Sequence, residues 1–198
     1  KALAEFVHAQ PQDIVLMDNA TTAVNTVFAS LCLNPGDEIL FVDQVYGACR
    51  KTAEFYAQKW GATCRVISLP TDFTDSEEIS QVIVNAWSTK TKLLLLDHIC
   101  SPTGWILPIA EVVAFYEQSG VPVLVDGAHA LGQIPLNIDA LGASYYVANA
   151  HKWLCTPKGS AMLHVRGDRQ STMRPLVFSH WMDWENTTGL VRYSAFQM

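Results

Sequence analysis

Short apolar runs of strand length alternate with helical patterns along most of this chain. Ile14 to Met17, Glu38 to Val42, Thr63 to Leu69, Lys92 to Asp97, Val121 to Val125 and Ser144 to Ala148 read as strands. The near-continuous apolar character of runs such as Leu93 to Leu96 predicts strands covered on both faces. Between them, Lys1 to Gln10 predicts a short amphipathic helix stopped by Pro11, and Ala23 to Leu33 a small-residue helix entered from cap-forming Asp18 to Thr22. A further helix opens across Asp43 to Ala48 and carries Tyr46, Phe55, Tyr56 and Trp60. Glu77 to Trp87 and Ile109 to Ser119 complete the set, the last with Gly120 as its C-cap. Ser160 to Val165 follows its predecessor too closely for a parallel crossover and is expected to run antiparallel. The fold class is therefore α/β, a mostly parallel sheet with one antiparallel strand and helices on both faces.

In such a sheet, ligands gather outside the carboxyl ends of the strands. Residues 18–22, 43–46, 97–104, 126–129 and 149–152, with 69–75 as a sixth segment, are expected to share that rim. Asp126 closes one buried run and Lys152 follows the next, so an acid and an amine would meet in one pocket.

Composition narrows the partners. With 198 residues, 49% of them hydrophobic, the chain can bury a sizeable core. Thirteen basic against nineteen acidic side chains give a net charge of −6, and no basic run is present to track a phosphate backbone, so nucleic acid is not an expected partner. The five cysteines are unevenly spaced without a C-x-x-C pair, which suits neither a disulfide framework nor a zinc site and points to a reducing, cytoplasmic setting. The apolar runs are of strand length, so no membrane span is expected.

Four rim segments carry what pyridoxal 5′-phosphate requires: a lysine for a Schiff base, an acid for the pyridine nitrogen, donors for a phosphate and a plate for the ring. Lys152, Asp126, the helix start at Thr21 and Thr22, and Tyr46 supply one of each. Singly, each has a plainer explanation: a solvated cation, a turn former, a helix cap and helix-entry packing. Asp126, His129 and His151 match no helix or hairpin chelate, and Lys152 beside them would repel a cation, so a metal is not expected.

DGAHA (Asp126 to Ala130), NAHKW (Asn149 to Trp153) and TPKG (Thr156 to Gly159) resemble the class V aminotransferase family of fold-type I pyridoxal-phosphate enzymes. NATT (Asn19 to Thr22), VYGA (Val45 to Ala48) and SPTG (Ser101 to Gly104) are most similar to its isopenicillin N epimerase-like branch, which also resembles C–S lyases; cysteine desulfurases are more distant. The resemblance implies that Lys152 is the Schiff-base lysine and Asp126 the partner of the ring nitrogen. It implies that His129 lies near the phenolic oxygen and imine, and that Asn149 and His151 are phosphate-side donors. Thr21, with the amide of Ala20 or Thr22, matches the phosphate-binding helix start. Tyr46 matches the ring-stacking position and Ser101 a position near the phenolic oxygen.

The same resemblance implies an amino-acid substrate and a homodimer with active sites at the subunit interface. Residues 1–170 would form the cofactor-binding large domain, and 171–198 would begin the connection to a carboxyl-terminal domain that carries the substrate-carboxylate arginine. The family's segment that reaches the neighbouring subunit's cofactor phosphate appears here as Thr188-Gly189-Leu190-Val191-Arg192, with Leu190 and Val191 in place of a hydroxyl and a guanidinium. None of the five cysteines matches a desulfurase nucleophile. The expected chemistry is Cα deprotonation with a C–S lyase or epimerase-like outcome; the alternatives are a class V aminotransferase or cysteine desulfurase, or a cofactor-binding core without turnover.

Overall fold

In a computed structural model of the chain, residues 1–72 and 75–177 are described; the 188–192 segment and most of the expected connection lie outside them. Among the described residues, the strands are β1 (Ile14–Met17), β2 (Glu38–Val42), β3 (Thr63–Ile67), β4 (Thr91–Asp97), β5 (Val123–Asp126), β6 (Tyr145–Asn149) and β7 (Ala161–Val165). They form one sheet in the order β1-β7-β6-β5-β4-β2-β3. Strand β7 runs antiparallel to both its neighbours, and the other pairings are parallel.

Helices α1 (Ala2–Phe6), α2 (Ala20–Ser30), α3 (Gly47–Trp60), α4 (Ser76–Asn85), α5 (Ile109–Gln118) and α6 (Ile138–Leu141) cover both faces. Side chains along a strand point alternately to opposite faces, and the core divides accordingly. Ile39, Phe41, Leu93, Leu95, Leu124 and Val147 pack under α2 and α3. Leu40, Val42, Leu94, Leu96, Val125 and Ala148 pack on the opposite face, against α4 and α5. No described helix is long and apolar enough to cross a membrane.

Of the helix boundaries that differ from the expected ones, three lie near the two ends of the first strand and at the entry to α3. Helix α2 begins at Ala20 because Asn19 is its N-cap, its side-chain oxygen accepting from the Thr22 amide at 2.7 Å. The earlier start leaves the hydroxyls of Thr21 and Thr22 inside the first turn. Helix α3 starts at Gly47, so Tyr46 stands at the cap position with extended ψ instead of within the helix. The first helix ends at Phe6, and His8 then takes a positive φ of 49°. The short α6 went unforeseen; Asn137 caps it through the Ala140 amide at 3.0 Å, and Gly142 ends it in the left-handed region.

Candidate active site

The period of two places the functional side chains. Asp97, Asp126 and Asn149 end three adjacent strands and share the parity of Leu95, Leu124 and Val147, so all three face α2 and α3. Asp97 and Asp126 are register partners across β4 and β5. A cleft of about 200 Å³ opens there, and it brings Ala20, Thr21, Tyr46, Ser101, Asp126, His129, Asn149, His151 and Lys152 together. Thr22 is the one expected site residue outside the lining; its amide and hydroxyl both turn back to the Asn19 side chain, at 2.7 and 3.1 Å.

Asp126 is buried at 4% exposure on the cleft floor. One carboxylate oxygen accepts the Ala128 amide at 2.9 Å and the other the Cys49 thiol, from the first turn of α3, at 3.1 Å. Burial and then the Asp126 charge push the Cys49 thiol up, so the thiol stays protonated and donates. These bonds fix the carboxylate orientation and leave lone pairs on both oxygens for a cationic guest.

Lys152 lies in the turn after β6, its amine 3.1 Å from His129 Nε2 and 5.9 Å from the Tyr46 ring centroid. The loop carrying His129 passes close to that turn because Gly132, at φ 85°, has no Cβ; one would sit 2.8 Å from the Leu154 nitrogen. Burial, and then the Lys152 charge, lower the His129 pKa, while Asp126 opposes them. His151 Nδ1 is 2.9 Å from the Ser160 carbonyl oxygen, which can only accept. His151 therefore donates there, and can donate a second bond into the cleft only as the imidazolium.

At the amino end of α2, the Ala20 amide donates to Asn149 Oδ1 at 2.8 Å. Of the amides expected to join Thr21 in holding an anion, those of Ala20 and Thr22 donate to the Asn149 and Asn19 side chains, and Thr21 itself lines the cleft. Asn149 ties the end of β6 to the start of α2 across the cleft floor. Asn149→Ala is expected to strand the buried Ala20 amide and lower stability by about 1–3 kcal/mol, read as a lower denaturant midpoint.

Sequence reasoning passed over three neighbours of the cleft. Asn19 belongs to the NATT motif but drew attention only as a cap candidate. Cys49 gave no signal, since its partner is 77 residues away. Asp97 sits at 2% exposure, with one oxygen lacking a hydrogen-bond partner. Burial first, and then the Asp126 charge, raise its pKa above the ordinary carboxylate range. A carboxyl whose folded-state pKa is raised takes stability away as pH climbs above about 4 and through the raised value. The midpoint temperature is thus expected to fall on going alkaline, and Asp97→Asn to flatten that fall; a thermal-melt series against pH checks both.

Comparison with known proteins bears on this geometry. The family model "Aminotransferase class-V" matches residues 1–187. Isopenicillin N epimerase of Streptomyces clavuligerus is 35% identical over 179 residues, covering 90% of this chain and 45% of the epimerase. The putative L-cysteine desulfhydrase 1 of Oryza sativa subsp. japonica is 34% identical, covering 84% of this chain and 38% of that protein. This chain thus spans less than half the length of these curated relatives. Among solved structures, the cystine C-S lyase C-DES, in complex with its reaction product cysteine persulfide, aligns with a TM-score of 0.85 at 30% identity, covering 97% of this chain and 53% of that one. A lysine-to-alanine mutant of C-DES, with glycine covalently linked to its PLP cofactor, aligns with the same TM-score at 29% identity and the same coverage.

Proposed function

The chain belongs to the class V aminotransferase family, and on that premise we propose that it is the cofactor-holding core of a pyridoxal 5′-phosphate enzyme that breaks the Cα–H bond of an amino acid. The observation that carries the proposal is the meeting, in one cleft, of Lys152, the buried Asp126 carboxylate and Thr21 at the start of α2. The donor set fits the cofactor along its length. An amine suits its aldehyde, an oriented carboxylate its ring nitrogen, a helix start its phosphate, and Ala128 and Tyr46 offer surface for its ring.

When bound, the cofactor supplies an aldehyde that reacts with amines and a protonated ring that withdraws electrons from the substrate Cα. Lys152 would hold the aldehyde carbon through Nζ. As a free amine, the same Nζ would serve as the base for the Cα proton. His129, 3.1 Å from Nζ, can exchange a proton with it. The Asp126 carboxylate would face the ring nitrogen and favour its protonated form, its charge strengthened by removal from water. The Thr21 amide and hydroxyl, at the positive end of α2, would bind the phosphate, with His151 joining as the imidazolium.

Returning the proton to the opposite face of Cα gives an epimer; losing a sulfur substituent from Cβ gives a C–S lyase. Both outcomes use the residues named, and the similarity to an epimerase and to C–S-cleaving proteins supports this pair. A homodimer in the cytoplasm, as implied by the family resemblance and the cysteine pattern, is part of the same proposal. The test is Cα-hydrogen exchange in deuterium oxide with added cofactor and a panel of amino acids including cysteine and cystine. Exchange that disappears in Lys152→Ala is expected; no exchange with any amino acid by the intact protein would refute the proposal.

A further inference from the structure

Trp153 follows the lysine in sequence and is half exposed at 51%, yet its indole N–H points inward to His129 Nδ1 at 3.1 Å. An indole nitrogen can only donate. Nδ1 therefore carries the lone pair, and the proton of a neutral His129 ring sits on Nε2. That nitrogen faces Lys152 Nζ at 3.1 Å. An N–H directed at an amine makes a hydrogen bond only when the amine presents its own lone pair; an ammonium there would set donor against donor.

We propose that Trp153 is a positioning residue: by fixing the His129 tautomer it favours the unprotonated, nucleophilic form of the Lys152 amine. Nothing in the preceding mechanism uses Trp153, and the inference deepens that mechanism by resting on Lys152 as its nucleophile. The other groups facing Lys152 across the cleft are the Asp97 and Asp126 carboxyls from β4 and β5, His151 from its own turn and the Tyr46 ring from the start of α3. The Asp126 carboxylate favours an ammonium, whereas Asp97, its pKa raised to about 8 by burial and by Asp126, adds little charge at neutral pH; the indole–imidazole pair works against Asp126. Burial lowers the His129 pKa, which suits the neutral ring that the arrangement requires.

The test uses nitrogen-15 spectroscopy of the His129 ring together with the acylation rate of Lys152, measured against exposed Lys51 at neutral pH. In the native protein the Nε2–H form is expected. Trp153→Phe keeps an aromatic ring and removes the donor; it is expected to produce a tautomer mixture and to slow Lys152 acylation roughly two- to tenfold, the worth of one hydrogen bond. In a His129→Gln background the same Trp153 change is expected to leave Lys152 reactivity unaltered, which separates the effect from a general loosening of the turn. An Nδ1–H or doubly protonated ring in the native protein overturns the proposal, as does unchanged Lys152 reactivity in Trp153→Phe. The readouts need no cofactor, so failure of the cofactor to attach to Lys152 would sink the proposed function while leaving this result standing.

Discussion

An Asp126→Ala variant is expected to remain open to covalent labelling by the cofactor at Lys152 while its Cα-hydrogen exchange falls roughly 10²- to 10⁴-fold, the equivalent of removing one partner of a buried charge pair. The carboxylate is 4% exposed, so little water is present to take its place beside a ring cation. The change also strands the Ala128 amide and the Cys49 thiol, which now donate to its two oxygens. Asp126→Asn separates the two effects. It keeps an acceptor near those donors but no charge, so it should lose exchange nearly as fully as the alanine variant while losing less stability. Exchange rates in deuterium oxide and denaturant midpoints, measured on both variants, decide this.

Gly127→Ala is expected to be the most damaging single-methyl change in the described core, costing about 3 kcal/mol or more. A Cβ at position 127 would stand 2.3 Å from the Tyr146 hydroxyl oxygen and 2.4 Å from its ring. The tyrosine has no room to yield. It is fully buried on the face opposite the cleft, and its hydroxyl is 2.8 Å from His98 Nδ1. Burial pushes the His98 pKa down to about 4, so that ring stays neutral at physiological pH and the pair is an uncharged clamp. Because the methyl would move the backbone directly after Asp126, the clash also displaces the cleft floor. A Tyr146→Leu change in the same chain should recover much of the loss, since it removes the atoms in conflict. A double-mutant cycle measures that recovery, and simple additivity of the two changes would contradict the packing described.

The strands were legible because buried parallel strands are written as short apolar runs, and the antiparallel direction of β7 followed from the shortness of its connection. Legible too was the rim, since Asp126 and Lys152 follow neighbouring strands. What pattern could not resolve was which hydrogen bonds were already spent. Ala20 and Thr22 look like anion donors in sequence, yet Asn149 and Asn19 occupy their amides, one partner 129 residues away and the other three. Asp97 reads as an ordinary strand-end acid until its register with Asp126 is known, because nothing local marks a carboxyl as sharing its burial with another. The Cys49 thiol is invisible for the same reason. Trp153 sits inside a legible motif, but its role depends on which ring nitrogen it meets, a matter of tertiary geometry alone.

The central claim is that position 152 holds the cofactor covalently, and reduction tests it most directly. Borohydride treatment of the purified protein with pyridoxal 5′-phosphate, followed by peptide mass mapping, is predicted to place a single stable pyridoxyl group on Lys152 and to leave Lys152→Ala unlabelled. Labelling spread over exposed lysines, with the same extent in the alanine variant, would contradict it.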